Sequence, residues 1–194
     1  MAAKRESAVA DEKAPRKRAP RNPAARKQAI IDAAADLISR EGSGKVTHRK
    51  VAQHAGVPLG STTQYFKSID ELRRAGLARL AERIGREYDA VFDVVAQGSQ
   101  DADALADAIY GYLCDRDQVS ADAALYAAAI EDPEVRSITR ESFEAFLERC
   151  APYMDAERAK VLFAFTEGAV MNSCFMGFPY DQQTVRKAVE LILG

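Results

Sequence analysis

The sequence predicts an all-α protein, and three observations carry that expectation. Between turn signals the apolar residues recur three and four apart, and no segment alternates them as a half-buried strand does. Helix-start signatures recur along the chain, at Asn22–Pro23, Thr47, Ser68 with Glu71, Asp132–Pro133 and Asp181. With 47% apolar residues, the 194-residue chain can bury a core. No apolar run approaches a membrane span, and no apolar segment follows the basic N-terminus, so no membrane association and a cytoplasmic location are expected. Cys114, Cys150 and Cys174 sit in apolar helical patterns and read as core thiols rather than as disulfides or metal ligands.

Residues 1–21, rich in Ala, Lys, Arg and Pro, form a disordered basic tail. It is either a passive extension or an arm whose Arg16, Lys17, Arg18 and Arg21 reach phosphates or a minor groove. The first helix starts at Asn22–Pro23, carries Ile30, Ile31, Ala34, Leu37 and Ile38 on one face, and stops at Gly42 and Gly44. Thr47 caps a short second helix whose face is Val51, Ala52 and Ala55. Gly56 permits a left-handed helix end, Val57 turns back toward the core, and Pro58 starts a third helix over about residues 59–66. That helix is nearly all uncharged donors and acceptors, which suits base edges and phosphate oxygens. Helix, glycine turn and short polar helix make a helix-turn-helix.

Ser68 and Glu71 form a capping box that opens a fourth helix running to about Val95. Leu72, Leu77, Leu80, Ile84, Val91 and Val95 line one side of it and Arg73, Arg74, Arg79, Arg83 and Arg86 the other. Such a helix is long enough to join the head to the rest of the chain as a lever. After a break at residues 97–100, Asp101 or Asp103 caps a fifth helix and Ser120 a sixth. Asp132–Pro133 starts a seventh. The eighth, about residues 155–177, is apolar almost all round and so needs a second covering surface. Asp181 caps the ninth. The last two helices are expected to pair with those of a second copy as a four-helix homodimer interface, with Gly168 at the close approach. Glu167 and Asn172, the polar exceptions in the eighth helix, are either hydrogen-bonding residues of that interface, the preferred reading, or orienting contacts for a ligand.

Charge divides the chain at the same place as the helices. Residues 1–67 hold 14 Lys and Arg against 6 Asp and Glu, and residues 68–194 hold 13 against 23. A basic end containing the helix-turn-helix fits a nucleic-acid-binding head on a separate body. The expected division is a tail over 1–21, a DNA-binding head over 22–67, and a helical effector-binding and dimerisation domain over 68–194.

The stretch Val46 to Leu72, VTHRKVAQHAGVPLGSTTQYFKSIDEL, together with the helix QAIIDAAADLISREG before it, resembles the tetracycline-repressor (TetR) family of bacterial transcriptional regulators. The resemblance implies nine helices, a double-stranded DNA operator, and a variable body that binds a small effector. It places Thr47 and Arg49 at phosphate-contacting positions, and Leu59, Ser61, Thr63, Gln64 and Tyr65 facing the groove or its rim. It also places Lys67 near a phosphate and Thr62 and Phe66 inward. The chain departs from the family where Leu59 and Ile69 stand in place of frequent lysines and Thr63 in place of a common tyrosine.

His48 and His54 do not share a helical face and have no cysteine or carboxylate cluster beside them, so no metal site is expected. No phosphate-binding glycine loop or nucleophile elbow is present, and neither a cofactor nor an enzymatic activity is expected. In the body, Tyr110, Leu113, Tyr126, Phe143, Phe146 and Phe165 are the candidates for lining an effector pocket, with a small and largely apolar ligand in view. The expected function is a ligand-responsive, dimeric repressor reading a palindromic operator. The alternatives are a regulator without an effector, or a helical ligand-binding protein or enzyme with a non-functional head.

Overall fold

The computed structural model describes residues 22–96 and 102–194, and only the backbone of residues 90–92 and 94–96. The expectations for the basic tail, the break at 97–100, the Asp101 cap and the Val91 and Val95 side chains fall outside the described residues. The described chain is helical, in nine α-helices with one short 3-10 turn at Ser43–Lys45.

The head begins with α1 (Pro23–Glu41), where the Ala24 N–H donates to Asn22 Oδ1 at 2.9 Å and Pro23 occupies the first turn. In α2 (His48–Ala55) the Lys50 N–H donates to Thr47 Oγ1 at 3.3 Å. Gly56 then takes φ +66°, and the N–H groups of Gly56 and Val57 close on the carbonyls of Gln53 and Ala52 at 3.3 and 3.0 Å. A side chain at Gly56 would oppose that left-handed turn, which aims α3 (Leu59–Tyr65) away from α2. The capping box before α4 (Ile69–Ala96) is present in a shifted form. Ser68 Oγ accepts from the Glu71 N–H at 3.1 Å, and Glu71 Oε2 accepts from the Lys67 N–H at 2.8 Å, one residue before the cap.

The body comprises α5 (Ala102–Cys114), α6 (Arg116–Glu131), α7 (Pro133–Cys150), α8 (Ala156–Met176) and α9 (Gln182–Leu193). Asp132, Asp155 and Asp181 cap α7, α8 and α9 through their carboxylates. The sixth helix corrects the sequence reading: it starts a full turn before Ser120. Asp115 Oδ1 accepts from the N–H groups of Asp117 and Gln118 at 2.9 and 3.2 Å, and the extra turn buries Val119. Asp115 caps as well as a serine does, and the earlier start adds the burial of Val119. Cys114 also departs from expectation, being exposed, whereas Cys150 is buried and Cys174 half-buried.

Two apolar clusters organise the molecule. The first joins Ile30, Ala34 and Ile38 of α1 to Val51, Phe66, Leu72, Leu77 and Leu80, and continues into Ala121, Leu125 and Ala128 of α6. The second joins α5, α8 and α9 around Leu105, Ile109, Leu162, Val170, Val185 and Val189. Tyr88 of α4 packs against both clusters. The contact between α1 and α4 is close. A Cβ at Gly76 would stand 2.8 Å from Ile38 Cδ1 and 2.9 Å from Ala34 Cβ. Polar bonds hold the same pair of helices: Arg79 to Asp32 and Arg83 to Asp36, both at 2.7 Å.

Candidate nucleic-acid interface and ligand cavity

The helical period of α3 decides which side chains face outward. Thr62 and Phe66 are fully inside, as expected. Ser61 is also buried, at 8% exposure, which corrects its assignment to the groove. At 100° per residue Ser61 lies beside Thr62 on the inward side, and Tyr65, four residues on, follows it and packs half-buried against the head core. The outward face is Leu59, Gly60, Thr63, Gln64 and Lys67. Leu59 is half exposed, an apolar group at a helix start that suits contact with a base methyl. Thr63 Oγ1 donates to the Gly60 carbonyl at 3.2 Å and keeps its acceptor capacity for a partner. Thr47 and Arg49, at the start of α2, are exposed.

Arg73 fixes α4 to the loop before α2, donating to the carbonyls of Gly44 and Val46 at 3.2 and 3.1 Å. Arg74 reaches the other way, to Asp132 at 3.2 Å and Glu134 at 3.2 Å at the start of α7. Exposed pairs of this kind contribute little stability singly. Together they seat one end of α4 against the head and tie the same turn to the body.

Further along α4 a cavity of about 470 Å³ opens between α4, α6, α7 and α8. Of the six candidate pocket residues, Tyr126 and Phe146 line it. Tyr110, Leu113, Phe143 and Phe165 do not, and their placement is corrected. Leu113 is buried in the cluster of α5, α8 and α9, and Tyr110 and Phe165 pack against that cluster. Phe143 stands behind the wall, its ring edge-on to Phe163 at 4.8 Å. The aromatic wall is Tyr88, Tyr126, Phe146 and Phe163. Phe146 and Phe163 meet edge to face at 4.9 Å.

Two carboxyls also line the cavity: Glu167, for which a ligand contact is the second of two readings, and Asp122, which the sequence reading does not single out. Asp122 on α6 is 2% exposed and accepts from the Tyr112 hydroxyl at 2.5 Å. Burial, together with the nearby Glu167 charge, pushes its pKa up to about 8 against the pull of Tyr112. Glu167 on α8 accepts from the Tyr88 hydroxyl at 2.9 Å through Oε1, while its Oε2 is buried without a hydrogen-bond partner. Its pKa is raised by burial, and the Tyr126 and Tyr88 hydroxyls act in the opposite direction. Glu167 therefore faces the interior, which corrects the preferred interface reading and fits its alternative as a residue beside a ligand. Tyr88, Tyr112 and Tyr126 are all held firmly protonated by burial and by the adjacent carboxyls. The sequence signal for Asp122 was an acid within an apolar, alanine-rich helix, QVSADAALYAAA.

Along α8, α9 and the connection between them, Val161, Phe175, Met176, Phe178 and Leu191 are exposed. Asn172 is half-buried. Among the described residues no cluster has the composition of a metal site, and no helix is long and apolar enough to cross a membrane.

Comparison with known proteins agrees with this architecture. Residues 30–76 match the sequence model described as bacterial regulatory proteins, tetR family, and residues 96–194 match the tetracyclin repressor-like C-terminal domain. The chain is 35% identical over 81 residues to a nicotine-responsive transcriptional repressor of Paenarthrobacter nicotinovorans, covering 42% of this chain and 40% of that one. It is 27% identical over 173 residues to the transcriptional regulator BetI of Escherichia coli, covering 81% and 86% of the two chains. Among solved structures, a TetR-family member from Streptomyces coelicolor A3 superposes with a TM-score of 0.73 at 30% identity, over 87% of this chain and 98% of that one. The multidrug binding protein EbrR complexed with ethidium gives 0.72 at 30% identity, with the same coverage. Helix-turn-helix head, long α4 and helical body thus coincide with two domain matches that together run through most of the sequence, and the chain belongs to the TetR family of bacterial transcriptional regulators.

Proposed function

We propose that this regulator is a dimeric, effector-responsive repressor of a roughly palindromic operator. The observation that carries the reading is the course of α4. One end of this helix is bonded to the head through Arg73, Arg79 and Arg83, and its later turns wall the cavity through Ile84, Gly85 and Tyr88. Each head lays α3 in a major groove, where Leu59, Thr63 and Gln64 meet base edges and Thr47, Arg49 and Lys67 meet phosphates, with Tyr65 at the rim. The head spans residues 22–67, and the effector-binding and dimerisation domain spans 68–194.

The exposed apolar side chains of α8 and α9 pack against their symmetry mates, which sets the distance between two recognition helices. An effector in the cavity favours a position of α4 that no longer matches the half-site spacing. It acts only by binding that state more tightly than the DNA-competent one. The repressor similar to this chain over 81 residues is nicotine-responsive, and EbrR is multidrug binding, which supports a small-molecule effector here.

The test is selection of bound fragments from genomic DNA of the source organism by the purified full chain. A short inverted repeat near a few genes is the expected outcome. Salt-sensitive binding without sequence preference would overturn the reading.

A further inference from the structure

The cavity holds two carboxyls that no cationic side chain of the described residues pairs with. Asp122 and Glu167 line one space, and both are hydrogen-bonded to tyrosine hydroxyls, which are neutral donors. Among the described residues, no Lys, Arg or His forms an ion pair with either carboxyl. The other charged groups at the cavity are on its rim. Glu82, Arg86 and Asp89 come from α4 and Arg149 from α7, and Arg149 is held by Asp89 at 2.7 Å and by Asp93 at 3.6 Å. Glu87 on α4 and the half-buried Cys174 thiol on α8 also interact electrostatically with this group, and neither brings positive charge.

A carboxyl in such a place has two ways to avoid an uncompensated buried charge: it keeps its proton, or it pairs with a cation. In the empty cavity Asp122 takes the first. A cation supplied by a ligand offers the second, and the walls define its shape. Tyr126, Phe146 and Phe163 present rings to the space, and a flat cation stacks on such faces with a gain beyond that of apolar burial. A wholly apolar ligand would instead lose its neighbours' hydration while leaving the orphaned Oε2 of Glu167 unsatisfied.

We infer that the cavity takes a flat organic monocation, and that entry of the cation displaces a proton from the Asp122–Glu167 pair to solvent. This rests on the reading of the cavity as the effector site. The charge balance closes: one positive charge enters and one leaves, so the interior gains no net charge. Below the pH at which the empty pair ionises, every cation bound costs one proton, so the affinity rises with pH. Above it the proton is already gone and the affinity levels off. Asp122 sets that corner at about 8.

The test uses the full chain without DNA and ethidium as the probe, because its quaternary charge is fixed across the range. The association constant is measured by fluorescence from about pH 6 to about pH 9. It is expected to rise roughly tenfold per pH unit and then to flatten. Calorimetry near neutral pH in buffers of different ionisation enthalpy is expected to count about one proton released per ethidium. Neutral phenanthridine, of similar shape, is expected to bind more weakly and without the rise.

Asp122→Asn keeps an acceptor for Tyr112 and is expected to flatten the ethidium profile. Glu167→Gln is expected to weaken ethidium about tenfold or more across the whole range. Ethidium binding that is independent of pH in the unaltered protein overturns the exchange, and so does equal binding of phenanthridine; either result leaves the cavity as a ligand site. Failure of both probes to bind at any pH overturns the exchange and the effector reading together, while operator selection reports on DNA binding separately.

Discussion

The Tyr88 hydroxyl on α4 donates to Glu167 on α8 at 2.9 Å, and this bond joins the helix that carries the head to the helix that walls the cavity. The Tyr88 ring also packs against both apolar clusters and lies 5.0 Å from Tyr112. Tyr88→Phe keeps the ring and removes the donor. It is expected to leave operator affinity in the absence of effector within a few-fold, and to reduce effector-driven release. A hydrogen bond of about 1 kcal/mol net is about fivefold in the coupling between the two sites. Operator titrations with and without effector measure it, and an unchanged coupling would assign the transmission to another contact.

The interior acids set a pH dependence of stability whose sign is determined. Asp122 titrates at about 8 in the folded chain against 3.8 ordinarily, so between those values the folded state holds a proton that the unfolded chain has lost. Stability is therefore full below about pH 4 as far as this group is concerned, and falls as pH rises toward 8. Glu167, also raised, acts in the same direction. The caps Asp132, Asp155 and Asp181 are lowered, and their contribution is lost only in more acid solution. Thermal unfolding across this window is expected to show a falling Tm, with a shallower slope in Asp122→Asn.

At the nucleic-acid face, Thr63→Ala with Gln64→Ala is expected to weaken specific operator binding at least tenfold with little change in Tm, because both side chains are exposed. Lys67→Ala is expected to weaken specific and non-specific DNA alike and to lower the salt slope by about one. Tyr65 is unsuitable for the same test, since its ring packs on the head core and truncation disturbs folding. Competition titrations at two salt concentrations separate the two effects.

Gly76→Ala places a methyl group against Ala34 and Ile38, where α1 and α4 meet too closely for it. Overpacking of this kind costs about 1–3 kcal/mol, or roughly 2–4 °C of Tm per kcal/mol for a chain of this size. A Tm equal to or above that of the unaltered protein would mean that the two helices separate without penalty.

Gly168 on α8 is exposed, and a Cβ there would meet nothing within the chain. Within one protomer, Gly168→Ala therefore raises helix stability by about 0.5–1 kcal/mol. If α8 pairs closely with its symmetry mate, the same methyl group weakens the dimer, by roughly tenfold for a modest overpacking penalty. Sedimentation across a concentration series is expected to show weaker dimerisation, and an unchanged or tighter dimer would move the interface off this face of α8.

What the sequence determined by itself is what neighbours within a turn or two decide. Asn22–Pro23, Thr47, Asp132 and Asp181 start their helices where the sequence places them, because a cap bonds to an N–H only two or three residues away. Gly56 ends α2 in the left-handed conformation for the same local reason. The helix-turn-helix and the family were legible on those grounds. The tertiary structure decided what depends on which helices meet. Ser61 is buried because α3 turns that side toward the head, and Gly76 is required because α1 lies across it. Asp122 and Glu167, 45 residues apart in sequence, become one interior pair only because α6 and α8 face each other beside α4. Tyr126 and Phe146 reach the cavity while Tyr110, Leu113, Phe143 and Phe165 do not, although all six are apolar or aromatic residues at helical spacing. Periodicity tells which side of a helix is buried; only packing tells whether that side meets a filled core or an open space.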